Sequence, residues 1–149
     1  MIRYRFSNAE IREVTELMET GLEPPLDLHD PAGLRRWLHQ ADPGLLTSFG
    51  RIWLGKARLD QLHGDRNPGP VLDLLRRLRS VVRGRPPLTV GDLALTGRDL
   101  ISLGMKPSPR FGEILDRLLE MVLDEPGLNT RERLVTLVQT GELGGEAPE

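Results

Sequence analysis

The chain has 149 residues, 38% hydrophobic and 28% charged, a balance that suits a soluble globular protein of one compact domain or two small lobes. Its formal net charge of −2 argues against a polycation spread over the whole molecule, and the lack of any cysteine excludes disulfides and thiolate metal sites. No apolar run approaches the roughly 20 residues that span a bilayer, and the N-terminal MIRYRFSNAEI has no apolar signal core, so a cytoplasmic protein without a membrane partner is expected.

The patterning predicts an all-α fold of about six to seven short helices, arranged as two small lobes in tandem. Ser7-Asn8-Ala9-Glu10 reads as a capping box, with Phe6 and Ile11 at the staple positions around it. Ile11, Val14, Leu17 and Met18 then form one apolar stripe at helical spacing, and Gly21 is a plausible stop. Asp30-Pro31 opens the next helix as cap and first helical residue, with Leu34, Trp37 and Leu38 facing inward. Asp42-Pro43 repeats the device ahead of a stripe of Leu46, Phe49, Trp53 and Ala57. Gly50 and Gly55 either weaken that helix or allow a close neighbour.

The segment QLHGDRNPGP, residues 61–70, is the expected lobe boundary, which divides the chain into a body-like lobe over 1–62 and a tail-like lobe over 63–140. A strong helix follows at about 70–83, with Val71, Leu74, Leu75, Leu78 and Val82 inward and Gly84 to Pro87 ending it. Thr89-Val90-Gly91-Asp92 and Thr96-Gly97-Arg98-Asp99 are two T-x-x-D helix starts, seven residues apart. Gly104 closes the second of them. Pro107 and Pro109 stiffen the turn that follows, with Ser108 as cap, and Phe111, Leu115, Leu118 and Val122 run down the next helix. Asn129-Thr130-Arg131-Glu132 caps a last helix carrying Leu134, Leu137 and Val138, and residues 141–149 are expected to be a disordered tail. Ile2, Tyr4 and Phe6 alternate, too briefly to mark a strand.

Few residues spell out a chemistry. His29-Asp30 is the dipeptide of HD-type phosphohydrolases, but His29 is the first histidine in the chain and the further ligands are missing, so Asp30 reads as a helix cap. His39 and His63 lack a ligand pattern. There is no G-x-S-x-G, no phosphate-cradling G-x-x-x-x-G-K, no G-x-G-x-x-G and no D-x-D for two-metal nucleotidyl transfer. The acidic row Glu113, Asp116, Glu120 and Asp124 lies on one helical face and reads as solvated surface. No catalytic residue, metal or cofactor is therefore assigned.

Basic charge offers more. Of 20 basic residues only Lys56 and Lys106 are lysines, and arginine presents a planar fork suited to phosphate. Arg76, Arg77, Arg79, Arg83 and Arg85 place five arginines in ten residues. Arg76, Arg79 and Arg83 fall within about 60° of one helical face, opposite the leucines. Such a stripe either follows a phosphate backbone or forms a solvated face paired with acids. The turn from Ser102 to Gly112 is a second candidate. A helix N-terminus there could take phosphate with Lys106 and Arg110 beside it, or the turn could simply be a packed hairpin.

The stretch Leu95 to Val138, LTGRDLISLGMKPSPRFGEILDRLLEMVLDEPGLNTRERLVTLV, resembles the C-terminal region of bacterial tRNA nucleotidyltransferases, the CCA-adding enzymes and the related poly(A) polymerases. That family's pattern there runs roughly I-x-G-x-D-L, L-G, P-G-P-x-x-G, I-L and L-x-N-x-x-x-x-L. This chain supplies Leu95, Gly97, Asp99, Leu100, Leu103, Gly104, Pro107, Pro109, Gly112, Ile114, Leu115, Leu128, Asn129 and Leu134 in matching order. RFSNAEI and LRRWL are similar to segments that enter the family's helical body. Ser108 stands where the family usually has glycine, and Lys56 where an acid is common. Nothing in the chain matches the family's catalytic head with its metal-binding carboxylates.

The resemblance implies a helical body-and-tail module that grips tRNA by backbone and shape and has no catalysis of its own, with a nucleotidyltransferase head as partner in cis or in trans. Phosphate contacts are then expected from Arg76, Arg77, Arg79, Arg83, Arg85, Arg98, Lys106 and Arg110. The alternative is a helical protein–protein interaction domain that keeps the fold without RNA binding.

Overall fold

The computed structural model describes residues 7–20, 23–62, 64 and 67–141. The expectations placed on Ile2, Tyr4, Phe6, Gly21, His63 and residues 142–149, and on the side chains of Leu17 and Met18, lie outside the described residues. Every regular element among the described residues is helical, as expected of an all-α fold. Among the described residues seven α-helices run in chain order: α1 (Asn8–Thr20), α2 (Pro31–Gln40), α3 (Leu46–Leu62), α4 (Gly69–Arg83), α5 (Gly97–Ser102), α6 (Arg110–Asp124) and α7 (Arg131–Thr140). Three short 3-10 turns lie at Pro43–Leu45, Val90–Asp92 and Pro126–Leu128.

The chain divides into two compact units, Met1–Gly84 and Arg85–Glu149. The boundary expected at residues 62 and 63 thus lies about one helix further on. The reason is packing: α4 lays its leucine face against α2 and α3, so it belongs with the helices before it.

In the first unit, the capping box of α1 forms as read. The Glu10 amide donates to Ser7 Oγ at 3.2 Å, and the Glu10 carboxylate accepts from the Ser7 amide at 2.7 Å. That backbone hydrogen bond from Ser7 holds the Glu10 carboxyl below its ordinary pKa. Two residues of the α1 stripe are exposed, Ile11 at 53% and Val14 at 54%.

The core of this unit lies in α2, α3 and α4. Asp30 Oδ1 accepts the Gly33 amide at 2.6 Å and Pro31 fills the first turn, so α2 starts where the sequence places it. Leu34 and Leu38 are buried, and Trp37 is half-buried. Its ring meets Phe49 edge-on at 5.4 Å and Trp53 at 5.6 Å, while Phe49 and Trp53 lie 5.3 Å apart. Asp42 caps the Pro43–Leu45 turn through the Gly44 amide at 2.7 Å. From α4, Val71, Leu74, Leu75 and Leu78 complete the core, with Val82 half-buried. Gly50 is buried at the seam of α3 and α4, where an added Cβ would meet Leu75 Cδ2 at 3.4 Å, an ordinary van der Waals contact.

In the second unit, both T-x-x-D boxes form. Asp92 accepts the Thr89 amide at 2.9 Å ahead of a 3-10 turn, and Asp99 accepts the Thr96 amide at 2.9 Å ahead of α5. Gly104, at φ +90°, closes α5 as a Schellman stop, its amide bonding the Ile101 carbonyl at 2.9 Å and the Met105 amide the Leu100 carbonyl at 3.2 Å. Leu93, Leu95 and Leu100 are buried, as are Leu118, Leu119, Val122 and Leu123 of α6 and Leu134 and Leu137 of α7.

Two capping expectations change here. Ser108 makes no side-chain cap; its backbone carbonyl accepts the Phe111 amide at 3.1 Å, because Pro109 already has helical dihedrals. Thr130, not Asn129, caps α7 through the Arg133 amide at 3.4 Å. Asn129 instead reaches back to the loop before α5. It accepts the Ala94 amide at 2.8 Å and donates to the Asp92 carbonyl at 2.9 Å.

Candidate nucleic-acid interface

Helix α4 buries Val71, Leu74, Leu75 and Leu78 and exposes Leu72 among its arginines. Leucines at helical spacing bury one side, and this turns the arginines of the opposite side outward. Arg76, Arg79 and Arg83 are exposed on that outer face. Arg76 Nη1 lies 3.2 Å from Asp73 Oδ1, one turn away, an exposed pair of the kind that yields readily to a stronger anion. The Arg79 Nη2 atom lies 3.8 Å from where a Cβ of Gly50 would stand, so its side chain extends over α3.

Arg77 behaves differently from its neighbours. It is half-buried, and its Nη1 donates to the Leu28 carbonyl at 2.6 Å. Its Nε lies 3.3 Å from Asp73 Oδ2 without hydrogen-bond geometry. Arg77 therefore fastens the loop before α2 onto α4, and its guanidinium is committed to the fold. It leaves the set of phosphate ligands expected from sequence.

The remaining expected residues belong to the second unit. Arg85, at φ +47°, Arg98, Lys106 and Arg110 are all exposed. The eight expected residues therefore split between the two units: the α4 arginines lie in the first and these four in the second.

The sequence reading missed part of the basic surface. Arg51, Lys56 and Arg58 of α3 are exposed, with Lys56 paired to Glu23. They are spread along a helix rather than clustered, so a search for charge runs passes over them. Once α2, α3 and α4 are known to pack together, the asymmetry is clear: these three helices carry nine basic and two acidic side chains. The second unit is of opposite sign. Residues 85–149 hold seven basic against eleven acidic side chains, and the row Glu113, Asp116, Glu120 and Asp124 is exposed along α6.

Other chemistries find little to work with. Among the described residues no group of three or more His, Cys, Asp or Glu side chains could hold a metal ion. His29 and His39 are exposed, and Asp30 is occupied in capping α2. A groove of about 350 Å³ in the second unit is lined by Leu128, Glu132, Arg133, Thr136 and Leu137. It is open and mostly apolar, without the converging polar groups that orient a reacting substrate. No helix among the described residues is long and apolar enough to cross a membrane. No protein-family model matches the chain, and neither does any curated protein or solved structure.

Proposed function

We propose that this chain is a non-catalytic RNA-gripping module that holds tRNA by its phosphate backbone, with Arg76, Arg79 and Arg83 of α4 as the principal contacts. The observation that carries this reading is the excess of basic side chains on α2, α3 and α4, with Arg76, Arg79 and Arg83 exposed on α4 while Val71, Leu74, Leu75 and Leu78 of the same helix are buried. A row of guanidinium forks on a rigid helix neutralises successive phosphates and releases their counterions. It reads folded RNA by shape and backbone rather than by base sequence. The resemblance of Leu95–Val138 to the tail of bacterial tRNA nucleotidyltransferases supports tRNA as the RNA and the cytoplasm as the place. On the same ground, the partner would be a nucleotidyltransferase head.

Fluorescence anisotropy with labelled tRNA across a salt series tests the proposal. Three phosphates neutralised by α4 give a log–log salt slope of roughly −2 to −3. The R76E/R79E/R83E variant should bind at least tenfold more weakly and lose that slope. Absence of tRNA binding by the unmodified chain at low salt overturns the RNA reading. Undiminished binding by the triple variant overturns the assignment to α4.

A further inference from the structure

Two helix faces of the first unit remain open, and they complement each other. On α1, Ile11 and Val14 are more than half exposed, one turn apart. A helix of 13 residues is marginal in water even with a good cap, and its stability in a protein comes from burying such a stripe. On α3, Gly55, Leu59 and Leu62 lie at i, i+4 and i+7 and so share one face. Leu59 is 60% and Leu62 82% exposed, and a Cβ added at Gly55 would meet nothing within 4 Å. This face is the back of α3, because Phe49, Trp53 and Ala57 face the core. A glycine beside two exposed leucines allows a second helix to approach closely.

Charge selects the occupant. Arg51 and Arg58 flank the α3 stripe and are exposed. Helix α1 is acidic, with Glu10, Glu13, Glu16 and Glu19 against Arg12 alone. An acidic helix that exposes Ile11 and Val14 thus exists in the same chain as a basic helix that exposes Leu59 and Leu62.

We propose that two copies of the chain pair by exchanging these helices, α1 of each copy covering the Gly55–Leu59–Leu62 face of α3 in the other. The contact is isologous, so both seams form at once and the assembly closes as a dimer. Opposite charge on α1 and α3 speeds the encounter and disfavours α1–α1 and α3–α3 pairing.

Light scattering on the full chain across a concentration series should show twice the chain mass. I11E/V14E on α1 and L59E/L62E on α3 should each give a monomer whose far-UV circular dichroism falls by no more than the contribution of α1, because the buried residues of α2, α3 and α4 are untouched. A wild type that stays monomeric, or a dimer that survives either variant, overturns the proposal. The absence of native cysteines allows a second test that does not depend on those variants. V14C and L62C chains, mixed and oxidised, should form the mixed disulfide in preference to either self-pair. The doubly substituted V14C/L62C chain should oxidise to a two-chain species. Closure within one chain would mean that α1 folds back on its own α3, and that would overturn the exchange.

Discussion

In residues 31–83 three helices meet through Leu38, Phe49, Trp53, Leu74 and Leu78, each almost fully buried. In residues 88–140 the helices are shorter or joined by tight turns, and side chains bonded to backbone do much of the positioning. There Asp92 and Asp99 hold the Thr89 and Thr96 turns, Asn129 ties the loop before α5, and Arg131 bonds Asp99 at 2.7 Å. The surfaces differ as well: basic over α2 to α4, acidic along α6. A core built on aromatic and leucine burial makes few demands on surface charge, so its outer faces can carry arginine. Carboxylates accept amide hydrogen bonds at helix starts in both units, Asp30 and Asp42 in the first and Asp92 and Asp99 in the second, and each such contact needs the acid ionised.

The contrast can be broken most sharply at Trp53. Both tryptophans lie in the first unit, so their fluorescence reports that unit, whereas far-UV circular dichroism reports all the helices. Trp53→Ala removes a ring that is 1% exposed and should destabilise the first unit by about 3–5 kcal/mol in urea unfolding followed by Trp37 emission. A loss well below that range would mean the aromatic cluster is not the main source of its stability.

Asn129→Ala is the matching test for the second unit. It deletes two hydrogen bonds to backbone groups 35 and 37 residues away and should cost about 1–2 kcal/mol, seen by circular dichroism. Tryptophan emission should keep its original midpoint. If both probes shift together, the two units unfold as one.

Acid gives the smallest and most specific effect. Thr96, through its hydroxyl and then its amide, followed by Arg131, lowers the Asp99 carboxyl from 3.8 to about 2. Because the folded value lies below the unfolded one, this contribution is complete above about pH 4 and is lost as pH falls toward 2. Asp92 shifts in the same direction, chiefly through the Thr89 hydroxyl. Asp99→Asn should therefore flatten the acid dependence of the second unit's stability. The fluorescence transition should keep its own acid dependence, because Asp30 in the first unit is lowered mainly by the Gly33 amide. An unchanged circular dichroism profile in Asp99→Asn would show that the box and its Arg131 bond do not set the acid limit.

Much of this architecture was legible in the chain, for a local reason. The Ser7, Asp30, Asp42, Thr89 and Thr96 caps depend on residues two or three positions apart, and the buried faces of α2, α3 and α4 follow from helical periodicity. The arginine face of α4 is legible in the same way, since it is the complement of the leucine face. The role of Arg77 was not: periodicity sets it apart from the face of Arg76, Arg79 and Arg83, but its partner is the Leu28 carbonyl, 49 residues away.

The sequence by itself thus determined the helices, their starts and stops, and which side of each is apolar, because those depend on neighbours within a turn or two. Only the tertiary structure decided that α4 joins the first unit rather than the second, that Asn129 is a tether rather than a cap, and that the basic charge of α2 to α4 belongs to one packed group of helices. It also decided that Ile11 and Val14 of α1 and Leu59 and Leu62 on the back of α3 stay exposed within one chain. Each of these depends on which distant surfaces pack together, and periodicity shows that a face seeks a partner without naming the partner.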